Sequence, residues 1–209
     1  MSVIFLVRHG QASLGAADYD QLSPKGFHQS ALVGAALRER GATPTSVVSG
    51  DLRRHVQTVS WAGLADAAVD PRWNEFDHKP ILEAACGPIG TLGDLGAEGW
   101  LDAKRRWTSG KHDTQYPETF AGFTDRVHTA LKDTAHAAGR GGCAVVVTSA
   151  GVIASIATAL LGGGPELWHR LQTVAVNTGI TKVIAGSRGL TLVSFNDHSH
   201  LEPNQLTYG

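Results

Sequence analysis

The stretch Val3-Ile4-Phe5-Leu6-Val7-Arg8-His9-Gly10 decides how this chain is read. Five apolar residues in unbroken succession read as a strand buried on both faces of a parallel sheet, because a strand with one wet face would alternate. In open α/β sheets ligands gather at the carboxyl ends of the strands. Arg8, His9 and Gly10 fall at that end. A guanidinium, an imidazole and a residue without Cβ, past which backbone can pack closely, are the parts of an anion site with a nucleophile.

A second run of this kind, Cys143-Ala144-Val145-Val146-Val147, lies far downstream. Between the two, Ser23 and Pro24 open a helix as N-cap and first helical residue. Phe27, Ala31, Gly34 and Ala35 follow at helical spacing. Val47-Val48-Ser49 reads as a short strand. Asp51 is placed to cap the next helix, with Leu52, Val56 and Val59 as its apolar stripe. Ala67 to Trp73 reads as a third strand. From Phe76 to Gln115 prolines and glycines break the pattern, and Trp100 to Trp107 forms a short helix. This segment, around residues 76–116, reads as a cap-like insertion over the carboxyl edge of the sheet. Pro117-Glu118 opens a helix bearing Phe120, Phe123, Val127 and Leu131 on one face. After the second buried run, Ile153, Ile156, Ala157 and Leu160 form a packed helical stripe. A short helix from Pro165 to Leu171 follows. Ile180–Ile184 and Leu190–Phe195 then flank the turn Gly186-Ser187-Arg188-Gly189 as a hairpin. Strands alternating with helices predict an α/β fold, a three-layer αβα sandwich with a mixed, mostly parallel central sheet, in one domain over residues 1–209.

Composition narrows the classes. The net charge of -1 argues against a polybasic nucleic-acid binder. Lys104-Arg105-Arg106 reads as a solvated helix face, with drawing in an anionic substrate as the lesser alternative. The two cysteines, Cys86 and Cys143, make no disulfide framework, and Cys143, at the start of an apolar run, reads as a buried thiol in a reducing cytoplasm. No signal-peptide pattern opens the chain, and no apolar stretch approaches the roughly 18 residues of a membrane span. No nucleic-acid or membrane partner is expected. His198-Ser199-His200 lacks a third ligand at convincing spacing, so no metal and no cofactor are expected.

Four segments fall at or just beyond the ends of expected strands: Arg8-His9-Gly10, Ser49 to Arg54, Asn74-Glu75-Phe76, and Thr148-Ser149-Ala150-Gly151. A parallel sheet gathers such ends into one cleft. His9, Arg8, Arg53 or Arg54, Glu75 and Ser149 would meet there, and spacing alone does not choose between the two arginines. Ser149 reads equally as a helix cap and as a phosphate contact. Trp73, Trp100, Trp107 and Trp168 read as core.

Leu6-Val7-Arg8-His9-Gly10 resembles the signature of the histidine phosphatase superfamily, the phosphoglycerate mutase-like family. The helix opening Leu22 to Gln29, the segment Ser49 to Thr58 with Leu52, Arg54, Gln57 and Thr58, Pro117-Glu118-Thr119 before Phe123 and Arg126-Val127, Asn177-Thr178-Gly179-Ile180 and His200-Leu201 resemble it in the same order. The resemblance implies a phosphoglycerate mutase-like fold and His9 as a nucleophile that forms a phosphohistidine. It implies Arg8 and Arg54 as phosphoryl ligands, Glu75 as proton donor, and no metal. It also exposes a departure: Ser149 stands where the family carries a second histidine. A serine hydroxyl donates one hydrogen bond and carries no charge, so a slow enzyme is expected. Gln11, where many members carry glutamate, is a further phosphate-site candidate. His55 and His78 sit beside motif residues, where either could supply the missing charge. Three readings follow: a phosphatase for a small phosphorylated substrate, with phosphate, sulfate or vanadate binding in the site; a phosphoglycerate mutase; or a phosphate-binding pseudoenzyme with a regulatory role.

Overall fold

The computed structural model describes residues 1–13, 20–87 and 96–208. The elements run β1 (Ser2–Arg8), α1 (Pro24–Glu39), β2 (Ser46–Ser49), α2 (Arg53–Trp61), β3 (Ala68–Val69), α3 (His78–Cys86), α4 (Gly96–Thr108), α5 (Phe120–Ala138), β4 (Cys143–Thr148), α6 (Ala150–Leu160), α7 (Pro165–Val174), β5 (Ile180–Gly186) and β6 (Gly189–Asp197). The six strands form one sheet in the order β3-β2-β4-β1-β5-β6. β1, β2, β3 and β4 are mutually parallel, and β5 is antiparallel to both β1 and β6. The carboxyl ends of β1, β2, β3 and β4 therefore share one edge.

The two apolar runs do what a doubly covered strand requires. Ile4 and Leu6 of β1, with Ala144 and Val146 of β4, face one core built with α5, α6 and Trp168 of α7. Phe5, Val7, Val145 and Val147 face the other, against Val33 and Leu37 of α1 and Val59 of α2. Each fully buried aliphatic side chain of this kind contributes roughly 1.5–3 kcal/mol of transfer free energy. The result is the expected three-layer α/β arrangement around a mixed, mostly parallel sheet.

Local details depart from expectation for identifiable reasons. In α1, Ala31 is exposed, and the buried face runs through Gly26, Ser30, Val33, Gly34 and Leu37. The helix is turned so that Gly26 meets the loop after β1; a Cβ on Gly10 would lie 2.4 Å from the Gly26 carbonyl oxygen. Phe27 packs on Trp61 instead, with ring centroids 4.9 Å apart. In α2, Val56 is exposed, and the buried face carries Arg54, His55, Thr58 and Val59. A polar buried face points to use rather than packing. The expected third strand spans only Ala68–Val69 before a 3-10 turn at Pro71–Trp73, since Pro71 has no N–H to continue a ladder. The helix after Pro117 begins at Phe120 with Thr119 as its cap, Thr119 accepting from the Gly122 N–H. Cys143 is half-buried rather than enclosed. The described part of the 76–116 segment is α3, α4 and a 3-10 turn at Asp113–Gln115; residues 88–95, with Pro88, Gly90 and Gly93, and residues 14–19 of the loop before α1 lie outside the described residues.

Candidate active site

β1 ends at Arg8, and the backbone of the next residue is held from two sides. The His9 N–H donates to the Thr148 carbonyl at 2.9 Å. Its own carbonyl accepts from Asn177 Nδ2 at 3.1 Å and from the Thr178 N–H at 3.3 Å. Thr178 reaches this position with φ of 61°, a left-handed conformation uncommon outside glycine. Asn177 is anchored in turn: its N–H donates to the Thr207 carbonyl at 3.0 Å, and its Oδ1 accepts from Thr207 Oγ1 at 2.9 Å. The nucleophile candidate thus sits in a clamp made by three distant segments.

The ring of His9 is equally constrained. Nδ1 lies 2.7 Å from the Gly10 carbonyl, which can only accept, so Nδ1 carries the proton. Nε2 is then a bare lone pair, and Arg54 Nε donates to it at 3.2 Å. Burial, then the cations of Arg54 and Arg8, hold the imidazole pKa well below its usual range. The ring is therefore held in its neutral form, with the Nε2 lone pair open to a partner. Arg8 donates to the Ala175 carbonyl.

The structure separates the two arginines. Arg54 is buried beside His9, whereas Arg53 is exposed. Asp20 explains the geometry. One of its oxygens accepts from the Arg53 backbone N–H at 2.8 Å, and the other pairs with Arg54 Nη1. Asp20 thus takes the helix-capping part expected of Asp51, because the α2 N-terminus faces the loop before α1. Asp51 instead pairs reciprocally with Asn74: Asn74 Nδ2 donates to its carboxylate at 2.6 Å, and the Asp51 N–H donates to Asn74 Oδ1 at 3.0 Å. That link ties the end of β2 to the segment bearing Glu75.

Glu75 is wedged against the N-terminus of α6. Its two carboxylate oxygens accept from the Gly151 N–H at 2.9 Å and the Phe76 N–H at 3.2 Å. Burial raises its pKa, and those N–H groups with Arg54 and Arg8 oppose the rise without cancelling it. A carboxyl group with a raised pKa, in the field of the same arginines as His9, suits general acid work. Arg126 holds this segment from behind, donating to the carbonyls of Arg72 at 2.8 Å and Asn74 at 3.0 Å while gripping the Glu118 carboxylate.

Ser149 occupies the N-cap position of α6, yet its side chain makes no capping bond. Its Oγ lies 2.7 Å from Nε2 of His55, whose ring centroid is 5.5 Å from that of His9. Gln11 is tied to the start of α1: its amide oxygen accepts from Ser23 Oγ at 2.8 Å. His78 is part-buried, with its pKa lowered chiefly by that burial.

Two participants escaped the reading of the sequence. The first is Asp20, which nothing in its loop marks out. The second is Lys104, assigned to a solvated face. It is buried, its Nζ donating to Gln172 Oε1 at 3.1 Å and lying 5.2 Å from the Trp100 ring centroid. Burial lowers its pKa, and the Glu75 carboxylate opposes this. The neighbouring Trp100 was the available signal. Trp73, Trp107 and Trp168 are fully buried core, and Trp100 packs at its margin. His198 and His200 make local hydrogen bonds to the Asn196 carbonyl and Thr178 Oγ1. Among the described residues no group of three His, Cys, Asp or Glu side chains could hold a metal ion, and no helix is long and apolar enough to cross a membrane. A cavity of about 360 Å³ at the amino end of β2, lined in part by Leu37, Arg38, Leu64 and Asp66, includes none of the site residues His9, Arg8, Arg54, Glu75 or Ser149.

Fold and site together define an α/β protein with a neutral histidine and two arginines at the carboxyl edge of its sheet. The family is settled by sequence: residues 4–198 match the model of the histidine phosphatase superfamily, branch 1, and the chain belongs to that superfamily. No curated protein sequence matches it. Among solved structures it is similar in fold to the phosphoserine phosphatase of Entamoeba histolytica, determined with phosphoserine and with 3-phosphoglyceric acid. That likeness has a TM-score of 0.72 at 21% identity, covering 97% of this chain and 100% of the other. It is similar also to YhfR of Bacillus stearothermophilus, with a TM-score of 0.75 at 17% identity, covering 97% and 100%. A mycobacterial glucosyl-3-phosphoglycerate phosphatase gives 0.66 at 22% identity, covering 94% and 99%.

Proposed function

We propose that the chain is a metal-independent phosphatase for small phosphomonoesters, working through a phosphohistidine on His9. The observation that carries this reading is the His9 ring, with Nδ1–H spent on the Gly10 carbonyl and the Nε2 lone pair facing Arg54. A phosphomonoester entering the site would draw Arg54 and Arg8 onto its phosphoryl oxygens, since guanidinium groups pair with such oxygens through several donors. The freed lone pair attacks phosphorus. The bond to the ester oxygen breaks as Glu75 passes its proton to that oxygen. Glu75, now a carboxylate, takes a proton from water, and the water oxygen attacks the phosphohistidine. The P–N bond breaks, releasing inorganic phosphate and returning His9 to its neutral form.

We further read the chain as one cytoplasmic domain, with the 76–116 segment covering the carboxyl edge. Phosphatase neighbours among the solved structures favour hydrolysis over mutase chemistry. The experiment is turnover of a panel of phosphorylated metabolites, with His9→Ala as blank and bisphosphoglycerate-primed mutase activity in parallel. His9-dependent release of phosphate, unaffected by a chelator, is the expected result. Anion binding without turnover of any substrate would replace this reading with a phosphate-binding protein.

A further inference from the structure

His55 is a fully buried titratable group to which the proposed reaction gives no part. It sits in the first turn of α2, beside Arg54, with its ring next to that of His9. Nε2 meets Ser149 Oγ at 2.7 Å, while Nδ1 is buried without a hydrogen-bond partner. Nδ1 faces Gly50 so closely that a Cβ there would lie 2.5 Å from it.

Two neutral tautomers are open to the ring. With the proton on Nδ1, a buried N–H would go unpaired, and orphaned buried donors are rarer in folded proteins than under-satisfied acceptors. With the proton on Nε2, that N–H donates to Ser149 Oγ, and the bare Nδ1 rests against Gly50. Only the second arrangement leaves the hydroxyl proton of Ser149 uncommitted, since Ser149 does not spend its side chain on capping α6. Burial, reinforced by the Arg54 cation, keeps the His55 ring from charging.

We infer that His55 is a positioning residue whose Nε2–H grips Ser149 Oγ, so that the Ser149 hydroxyl donates its own proton to the phosphoryl group carried on His9. The inference rests on the phosphohistidine reading of His9. It gives the site a neutral two-residue donor, imidazole behind hydroxyl, built from two elements. Because Ser149 Oγ already lies within hydrogen-bond distance of the His55 ring, a larger imidazole at position 149 calls for a small residue at position 55.

Two measurements test it. Nitrogen NMR of the imidazole rings at pH 7, with the His55 signals assigned by their absence in His55→Gln, should show a protonated Nε2 and a bare Nδ1. A proton on Nδ1, or an imidazolium, would overturn the inference. In kinetics, His55→Ala and Ser149→Ala should each lower kcat on an alkyl phosphate by about 10²–10³, the usual effect of removing one preorganised donor. The double variant should lose no more than either single, as residues acting as a unit do. His55→Ala combined with Ser149→His should recover much of the loss, which a purely structural part for His55 would not allow. Additive losses or absent recovery would count against it. If the wild type shows no His9-dependent turnover, the phosphatase reading itself fails. The same cycle is then read as orthovanadate affinity, where an unchanged value in Ser149→Ala sinks the pair.

Discussion

Glu75→Gln offers the sharpest test of the assignment of acid and nucleophile. The Glu75 carboxyl accepts two backbone N–H bonds, from Gly151 and Phe76. A glutamine keeps one acceptor oxygen but turns an NH₂ group toward the other donor. One buried N–H is left unsatisfied, at a cost of about 1–3 kcal/mol, so the variant should fold with a lowered melting temperature. Its chemical effect depends on the leaving group. An alkoxide leaves with difficulty unless protonated, and a positioned general acid is worth about 10²–10⁴ in rate, or about 2.7–5.4 kcal/mol of barrier at 1.36 kcal/mol per tenfold. A nitrophenolate departs with little help. The assay is kcat/KM on a series of alkyl and aryl phosphates, wild type against variant, below the variant's melting temperature. The alkyl rates should fall by at least a hundredfold and the aryl rates by less than tenfold. Equal losses on both would remove Glu75 from the acid part and leave it as a cap on α6.

Other expectations follow from the same geometry. In the proposed reaction turnover needs neutral His9 and protonated Glu75. The acid limb of kcat/KM should therefore lie below pH 6.5 and the alkaline limb above 4.5, the alkaline limb vanishing in Glu75→Gln. A rate that climbs through an ordinary imidazole titration would contradict this. Stability should fall on acidification below about pH 6.5, because His9 and His55 fold neutral with lowered pKa values and the unfolded chain binds those protons more readily. Denaturant titrations across pH read this directly. Arg8→Ala and Arg54→Ala should each weaken phosphate binding by calorimetry, as charge-assisted hydrogen bonds contribute on the order of 1.5–3 kcal/mol each; unchanged affinity in both would refute the anion site. Arg126→Ala, which frees the carbonyls of Arg72 and Asn74, should cost roughly 1.5–3 kcal/mol, a fall of about 3–12 °C in melting temperature at this chain length.

What the sequence made legible was whatever repeats locally. The runs through Val7 and Val147 are apolar on both faces and could only be central strands, and Ser23-Pro24 is a start signal that works by local geometry. Arg8 and His9 follow, because strand ends are predictable once the strands are; Glu75 lies past a 3-10 turn, six residues beyond the end of β3. What stayed hidden depends on contacts between segments. Asp51 is the local cap candidate for α2, but the Arg53 N–H is taken by Asp20, 33 residues earlier, and only tertiary contact brings the two together. Lys104 sits in a basic triplet that looks solvated, yet α7 supplies Gln172 to bury it. Ser149 reads equally as a cap and as a phosphate contact in sequence; the structure puts it at the N-cap position without a capping bond and sets His55, from another helix, against its Oγ. The buried faces of α1 and α2 differ from the apolar pattern for a related reason: both helices turn polar or glycine positions inward, Gly26 and Ser30 in α1, Arg54 and His55 in α2.

The clamp on His9 has a consequence for how the protein is made. Its backbone is held by Asn177 and Thr178, and Asn177 is held by Thr207. A ribosome must therefore pass residue 207 before the ninth residue can be fixed in place. β1 itself waits for both of its partners, β4 and β5, each more than half the chain downstream. The nascent amino-terminal segment is thus an apolar strand with no sheet to join, the sort of segment that chaperones shield. Cell-free translation of chains arrested at successive lengths on an appended C-terminal tether should yield no vanadate-binding chain until the tether is long enough for residue 207 to clear the exit tunnel.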